Sequence, residues 1–469
     1  MKRQHEAVRV DVEERMSGRF VSVDRDTPYL LPPSVQEWLP ENHLARFVVE
    51  IVERLELGEL TGSYVGRGSE AFHPAMLVAL LFYGYATGVF SSRKLERETY
   101  DSVAFRYVAA NRHPDHDTIA NFRKRFLPEL SALFVQILSV AQQLGVLKMG
   151  KVSLDGTKVH ANASKHSALS WEHANKIEAQ LRAEVEQLLR LAAEADGADH
   201  PDGMSVPEEL QRREQRLAAI AQAKAQIEAR AAERYAREQA AHEQKLAERQ
   251  AQEERTGRKP GGPPPAPPQP GPRPNDQVNL TDTDSRIMPT AGGGFEQAYN
   301  AQAAVDIDTM LIVAQHVSQN ANDKQEVEPA LDNLDAVAAV VGKAEALIAD
   351  NGYFSADNVE ACHEHDVEPY LAAGRDAHYP PLAERLRAPV PVAEGASAVD
   401  RMKHRLRTPE GREVYATRKC TVEPTFGIIK SVLGFRQFLL RGLQAVRHEW
   451  TLVCIGWNMK RLHRLQIAA

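Results

Sequence analysis

Hydrophobic side chains between residues 42 and 57 recur every three to four positions, a spacing that is typical of an amphipathic helix. A second, almost entirely apolar helix is predicted after Pro74, and a third is predicted to open at Asp117. The third helix carries three adjacent cations, Arg123, Lys124 and Arg125. We therefore predict an all-α domain over residues 1–148. Its basic last helix suits a helix-turn-helix-like DNA-binding domain and, equally, an ordinary helical domain with a solvated basic face.

The pattern then changes to short apolar segments. The segment KVSLDG predicts a strand that ends at Asp155. Residues 296–306 and 310–317 predict two strands joined by a hairpin, and residues 344–349, apolar except for Glu345, predict a strand buried on both faces. A helix is predicted over residues 327–341. This mixture of strands and helices predicts an α/β domain with a mixed sheet.

A segment of different composition interrupts the α/β pattern. Residues 176–193 and 210–227 combine apolar residues at helical spacing with many Ala, Glu, Arg and Gln, which favours a helical hairpin or coiled-coil arm. Residues 260–274 are rich in proline and predict an extended linker. The arm is interpreted as a spacer or oligomerisation element or, equally, as a merely solvated segment. The predicted domains are an α/β domain over residues 149–170 plus 285–469 and an insertion over residues 171–284.

Charge and cysteine content narrow the class of protein. The formal net charge is −7, so positive charge is local rather than global, and it is concentrated towards the C-terminus. Three cysteines form no C-x-x-C pair and suggest no disulfide framework, as expected in a reducing cytosol. The first residues lack the apolar core of a signal peptide, and the longest apolar stretch, residues 75–86, is too short to span a bilayer. We expect a cytoplasmic protein without a membrane partner.

Three carboxylates stand out by their position in the chain. Asp155 and Asp350 each end a predicted strand just before a glycine-containing turn, and Glu423 is a lone acid in a basic segment. Pro424 favours a helix that begins beside Glu423, and two helical turns would put Lys430 on the same face. Each acid alone is more often a turn former or a helix-end residue. Brought together by folding, the three could hold divalent metal ions against a phosphodiester.

The segments around these acids resemble bacterial insertion-sequence transposases of the DDE class. The strings VSLDGTKVHANAS, AYNAQAAVD, ADNGYFS and TVEPTFGIIK occur in the order of that family, and HPAMLVALLFYGYATGVFSSRKLERE with PDHDTIANFRKRF resembles its N-terminal domain. One large group of the family has the third motif Y-x2-R-x3-E-x6-K. Tyr415 and Arg418 match its first half, and Glu423 and Lys430 match its second half. Arg418 lies one residue too far from the glutamate, whereas Lys419 has the family spacing.

The resemblance implies an RNase H-like catalytic core that contains two Mg²⁺ or Mn²⁺ ions. Asp155, Asp350 and Glu423 would be both the catalytic residues and the metal ligands. Water activated at the metals would cleave a strand at the transposon end, and the freed 3′-hydroxyl would attack target DNA.

The resemblance also implies which groups contact double-stranded DNA. Tyr415, Lys430 and either Arg418 or Lys419 would hold phosphates near the cut, and the N-terminal domain would recognise the terminal inverted repeats. Because two transposon ends must be cut and joined, a homodimer on DNA is expected. The alternative is a non-catalytic DNA-binding or assembly protein derived from a transposase, which would bind DNA independently of metal.

Overall fold

A helical region precedes a mixed β-sheet in the computed structural model, which describes residues 37–64, 71–194, 206–259, 261–290, 293–374, 391–393 and 395–468. Both the helical N-terminal region and the mixed α/β region agree with the sequence-based prediction. The N-terminal helices are α1 (Leu44–Glu53), α2 (Gly58–Gly62), α3 (Pro74–Thr87), α4 (Ser92–Asp101), α5 (Val103–Val108), α6 (His116–Arg125) and α7 (Leu127–Gln143).

Local capping explains where two of these helices begin. The ring of His73 accepts a hydrogen bond from the amide of Ala75, and Pro74 occupies the first turn of α3, where its missing N–H costs nothing. The carboxylate of Asp115 accepts a hydrogen bond of 2.7 Å from the amide of Thr118. Helix α6 therefore begins one residue before Asp117, the residue predicted to open it.

A six-stranded sheet forms the centre of the second region. Its strands are β1 (Lys151–His160), β4 (Arg286–Thr290), β5 (Gly294–Asp306), β6 (Ile312–Ser318), β7 (Ala346–Ala349) and β8 (Glu368–Leu371). Strand β5 is antiparallel to β1, β4 and β6, whereas β7 is parallel to both β1 and β8. The predicted hairpin between β5 and β6 is confirmed, and Asp306 closes it by accepting hydrogen bonds from the amide and hydroxyl of Thr309.

Helices cover the sheet, and the last of them joins it to the N-terminal region. They are α10 (Val327–Val341, with the predicted bounds), α11 (Ala356–Glu364), α12 (Ala398–Arg405), α13 (Pro409–Ala416), α14 (Arg418–Gly427) and α15 (Leu443–Ala468). The indole N–H groups of Trp450 and Trp457 donate to the backbone oxygens of Gln302 and Met310, so α15 is fixed to the hairpin. The other side of α15 packs against α3 and α7, and one continuous hydrophobic core includes both regions.

Between β1 and β4, the described residues form two strands and two helices: β2 (Ala168–Ser170), just before the insertion, and α8 (Trp171–Glu194), α9 (Val206–Thr256) and β3 (Gln277–Asn279) within it. Leu181, Ile220 and Ile227 are buried in a small core of their own, which confirms the predicted helical pair. Helix α9 extends far beyond the predicted residues 210–227, to a length of about 75 Å at 1.5 Å per residue. The described part of the proline-rich segment, residues 261–274, contains no helix or strand and runs back along α9, where Arg249 and Arg234 donate to its backbone oxygens.

The described helices were compared with the length and apolarity that a membrane span requires. No single one of them is long and apolar enough to cross a membrane, although the bent pair of α3 and α4 passes by length and composition.

The contact between α15 and α3 depends on a glycine, and its substitution is testable. A Cβ at Gly456 would lie 2.7 Å from the carbonyl carbon of Tyr85, so the two helices would have to separate. We expect Gly456→Ala to lower the free energy of unfolding by about 1–3 kcal/mol, despite the higher helix propensity of alanine. Urea unfolding would measure this change. Gly62→Ala, where a Cβ meets nothing within 4 Å, should cause no such loss, and an equal loss in both variants would contradict the packing argument.

Candidate active site

Strand pairing brings two of the predicted carboxylates together. Strand β1 pairs with β7 from Lys151 opposite Ala346 to Ser153 opposite Ile348. Two residues further in the same register, Asp155 falls opposite Asp350. Contrary to the prediction, Asp155 does not end its strand, because β1 continues to His160 along the antiparallel strand β5. The short strand β7 instead ends beside it, so β1 has an open edge at Asp155.

Helix α14 contributes the third carboxylate. Val422 and Phe426 are buried four residues apart, and the ring of Phe426 stacks on Trp450 with the ring centroids 6.2 Å apart. This packing leaves Glu423 exposed on the neighbouring side of the helix. The prediction that the helix begins at Pro424 is wrong: α14 begins at Arg418, and the proline lies inside it.

The guanidinium of Arg418 lies between the three acids. Its Nη1 donates to Glu423 Oε1 at 2.7 Å, and its Nη2 lies 3.4 Å from Asp350 Oδ2 and 3.7 Å from Asp155 Oδ2. The side chain of Lys419 is exposed on the first turn of α14. Of these two cations, Arg418, despite its irregular motif spacing, is the one in contact with the carboxylates, and which of them holds a DNA phosphate stays a prediction.

Burial and charge act in opposite directions on these groups. Burial raises the pKa of Asp155 from 3.8 to about 6, although the nearby Arg418 guanidinium opposes this change. Burial alone would lower the pKa of Arg418, but the carboxylates of Asp155 and Asp350 outweigh it and the pKa is raised. The Asp155 side chain is only 20% exposed, compared with 42% for Asp350 and 49% for Glu423. The site is thus closed at Asp155 and open at the other two acids.

A polar network behind the acids was not predicted from the sequence. At its centre, Asp323 Oδ1 accepts hydrogen bonds from Lys158 Nζ, Asn300 Nδ2 and Gln302 Nε2, at 3.1, 2.7 and 2.9 Å. The hydroxyl of Tyr353 donates to Gln302 Oε1, which ties the turn after Asp350 to strand β5. The available signal was the pair of amide side chains at alternate positions in an otherwise apolar strand, AYNAQAAVD.

Gly156 makes room for this network. It pairs with Gln302 across the sheet, so a side chain there would occupy the same face. A Cβ at Gly156 would overlap the Gln302 side-chain amide, and it would also reach the oxygen of the Asn300 side chain. The glycine after Asp155 is therefore required by a close approach between strands, whereas the sequence suggested a turn.

The other predicted DNA-contacting residues lie in different environments. Lys430 lies in a π-helix (Ile428–Val432), so the regular two-turn spacing from Glu423 does not apply, and its Nζ donates to the backbone oxygen of Lys158 at 2.8 Å. Burial, followed by the charges of Arg436 and Lys158, lowers the pKa of Lys430. Tyr415 is half-buried near the end of α13.

The three cations of α6 differ from one another in exposure. Arg123 is buried, and its guanidinium donates to the Tyr85 hydroxyl and to the backbone oxygen of Phe90. Arg123 therefore stabilises the helical core and is not a surface cation, contrary to the basic face predicted from the sequence. Lys124 and Arg125 are exposed.

The donor set was compared with the requirements of a divalent cation. Among the described residues, no group of three or more His, Cys, Asp or Glu is close enough together to hold a metal ion as it stands. The three carboxylates nevertheless provide the hard oxygen ligands that Mg²⁺ and Mn²⁺ prefer, and they already surround a positive charge. Their chemistry fits a divalent cation once the guanidinium moves away.

Two segments of the chain match known families. Residues 277–459 match the family model of the Transposase DDE domain, and residues 33–125 match that of the Transposase domain (DUF772). The two matches together cover more than half of the chain. Asp350 and Glu423 lie within the first match, whereas Asp155 lies in neither. None of the curated proteins and none of the solved structures matches the chain.

The raised pKa of Asp155 predicts how the stability of the metal-free protein depends on pH. The folded state holds this proton up to a pKa of about 6, whereas the unfolded chain releases it near 3.8. The resulting stabilisation is fully present below pH 3.8 and is lost as the pH rises through 6, a loss of about 2–3 kcal/mol. Urea unfolding with chelator present, from pH 3.5 to 7, would measure it. The difference between wild type and Asp155→Asn should follow this curve, and parallel pH profiles would contradict the prediction.

Proposed function

We propose that Asp155, Asp350 and Glu423 are the carboxylates that perform the reaction of this chain. The chain is a transposase of the DDE class, which cleaves DNA and transfers its strands. The observation that carries the proposal is the register of β1 and β7, which aligns Asp155 with Asp350. Glu423 joins them through a guanidinium that contacts all three acids. The RNase H-like fold implied by the resemblance is part of this proposal, and the two aspartates on adjacent parallel strands support it.

DDE transposases use divalent metal ions, and we propose that the three carboxylates bind two Mg²⁺ or Mn²⁺ ions. Ions held there by Asp155, Asp350 and Glu423 would supply activation of the attacking oxygen and stabilisation of the leaving oxygen of the phosphodiester. Asp155 is deeply placed and Glu423 is at the open side, so the carboxylates line a path from solvent to the strand edge. The network centred on Asp323 holds the Asp350 turn against β5 and thereby fixes the separation of the two aspartates.

Side chains of the segment from Tyr415 to Lys430 are proposed to hold the DNA backbone. Arg418 presents a planar fork that suits a phosphate, and Lys430 and Tyr415 lie on the same stretch of chain. The exposed Lys419 adds positive charge at the first turn of α14. These contacts position DNA without reading its sequence.

The N-terminal helices are proposed to recognise the terminal inverted repeats. Exposed Lys124 and Arg125 at the end of α6 supply the positive charge, whereas Arg123 is excluded by its burial. The domain boundaries 1–148, 149–170 plus 285–469, and 171–284 are retained as functional divisions. A homodimer on DNA, acting in the cytoplasm, completes the proposal, because two transposon ends must be joined.

Strand transfer by purified protein with Mg²⁺ and the DNA that flanks its reading frame tests the three acids. We expect Asp155→Asn, Asp350→Asn and Glu423→Gln each to lower the rate by at least about a hundredfold, because metal ions contribute several kcal/mol to such reactions. The exposed Asp357→Asn, on the first turn of α11, is the matched control and should keep its activity. Full activity in any of the three variants would remove that residue from the assignment. Metal-independent DNA binding without cleavage by the wild type would favour the non-catalytic alternative.

The exposed cations of α6 give a separate DNA-binding prediction. We expect the double variant Lys124→Gln/Arg125→Gln to bind DNA more weakly and to reduce the magnitude of the slope of log affinity against log salt concentration by about 1–2. The reason is that a protein with fewer phosphate contacts releases fewer counterions from the DNA when it binds. Fluorescence anisotropy at several salt concentrations would measure this slope. Arg123→Gln should instead lower the free energy of unfolding and leave the slope unchanged. An unchanged slope in the double variant would exclude this helix from the DNA interface.

A further inference from the structure

A single guanidinium contacts all three carboxylates of the candidate active site. The Arg418 side chain forms hydrogen bonds or ion pairs with Asp155, Asp350 and Glu423. Three carboxylates this close repel one another, and a cation between them removes most of that cost. The metal-free site is therefore stabilised by a residue of the chain itself.

We infer that Arg418 is an internal counterion that divalent metal must displace, and that DNA favours metal binding by drawing Arg418 away from the carboxylates. This inference rests on the proposed function, in which the same three acids are the metal ligands. It assigns Arg418 a positioning role before the reaction, in addition to phosphate contact during it.

Charge balance explains why the guanidinium and the metals compete. The three carboxylates carry three negative charges, which two divalent ions already exceed. Arg418 between them would add repulsion as well as occupying carboxylate oxygens that the ions need. A DNA phosphate offers the displaced guanidinium a new bidentate partner and adds negative charge to the site.

The contacts of Arg418 also leave its side chain free to move once metal ions bind the carboxylates. Its Nε is buried without a hydrogen-bond partner in the described structure, so no bond at that atom fixes the side chain. Two of its three partners, Asp350 and Glu423, are on the open side of the site. A change of rotamer towards that side would bring the guanidinium to the surface where the DNA backbone is proposed to lie.

Thermodynamic linkage requires the effects of DNA and metal on each other's binding to be equal. If DNA raises the affinity for metal by removing Arg418 from the acids, metal must raise the affinity for DNA by the same factor. A protein without this side chain has no counterion to displace, so its metal affinity should be high with or without DNA.

The experiment measures Mn²⁺ binding, by calorimetry and by electron paramagnetic resonance, with and without a short DNA duplex of arbitrary sequence. Without DNA, we expect Arg418→Gln to bind Mn²⁺ at least about tenfold more tightly than wild type. DNA should tighten Mn²⁺ binding to wild type by a similar factor and have little effect on Arg418→Gln. Lys419→Gln, which removes the same charge one residue away from an exposed position, should bind Mn²⁺ as wild type does without DNA.

Unchanged or weaker Mn²⁺ binding by Arg418→Gln would overturn the inference, and so would an equal gain in Lys419→Gln. If Arg418→Gln does not fold, Arg418→Lys replaces it: its charge remains but its fork is lost, so its Mn²⁺ affinity should exceed that of wild type, and equal affinity would again overturn the inference. Asp155→Asn in the same assay tests the proposed function separately. Mn²⁺ binding that is unaffected by Asp155→Asn would reject the ligand assignment, whatever the Arg418 variants do.

Discussion

The candidate active site depends on the unequal pairing of strand β1. Along one edge β1 pairs with the antiparallel strand β5 from Val152 to His160, whereas along the other edge it pairs with the parallel strand β7 for only three residues. Beyond Ser153 the backbone of β1 remains paired with β5, whereas β7 no longer pairs with it at Asp155. Asp155 lies at this transition, and the same register places Asp350 next to it. A longer β7 would close the edge on which α14 and its glutamate lie.

Charge then decides which side chains lie together at the open edge beside Asp155. Burial raises the pKa of Asp155, whereas the positive charge of Arg418 opposes that rise. The guanidinium of Arg418 is therefore the charge that offsets the carboxylates in the metal-free site. Packing fixes the position of that base: Phe426 stacks on Trp450, and Trp450 is bonded to β5 through Gln302. The helix that carries Arg418 and Glu423 is therefore attached to the same strand that positions Asp155. Stability of the core and geometry of the site thus have a common origin.

The insertion shows why strand connectivity is difficult to read along the chain. Strand β1 and the strands with which it pairs are separated by two long helices and a proline-rich segment, and the family match begins only at residue 277. The insertion has its own small core around Leu181 and Ile227, and it returns the chain to the sheet through β3 and β4. It can therefore lengthen without disturbing the register of β1, because the pairing on either side of it is independent of its length.

Local sequence patterns determined several elements: the bounds of α10, the β5–β6 hairpin, the buried strand β7 and the presence of the paired helices in the insertion follow from them, because the spacing of apolar residues reflects the faces that each element presents. The three acids also stand out in the sequence by their positions, at predicted strand ends and in a basic segment, and motifs of the resembled family surround them. Only the tertiary structure decided that Arg418 rather than Lys419 contacts them, that Asp155 is mid-strand, that Arg123 is buried, and that Asp323 supports the site. These outcomes depend on strand register and on which helix face packs inward. Both are set by contacts between residues far apart in the chain, which local spacing does not encode.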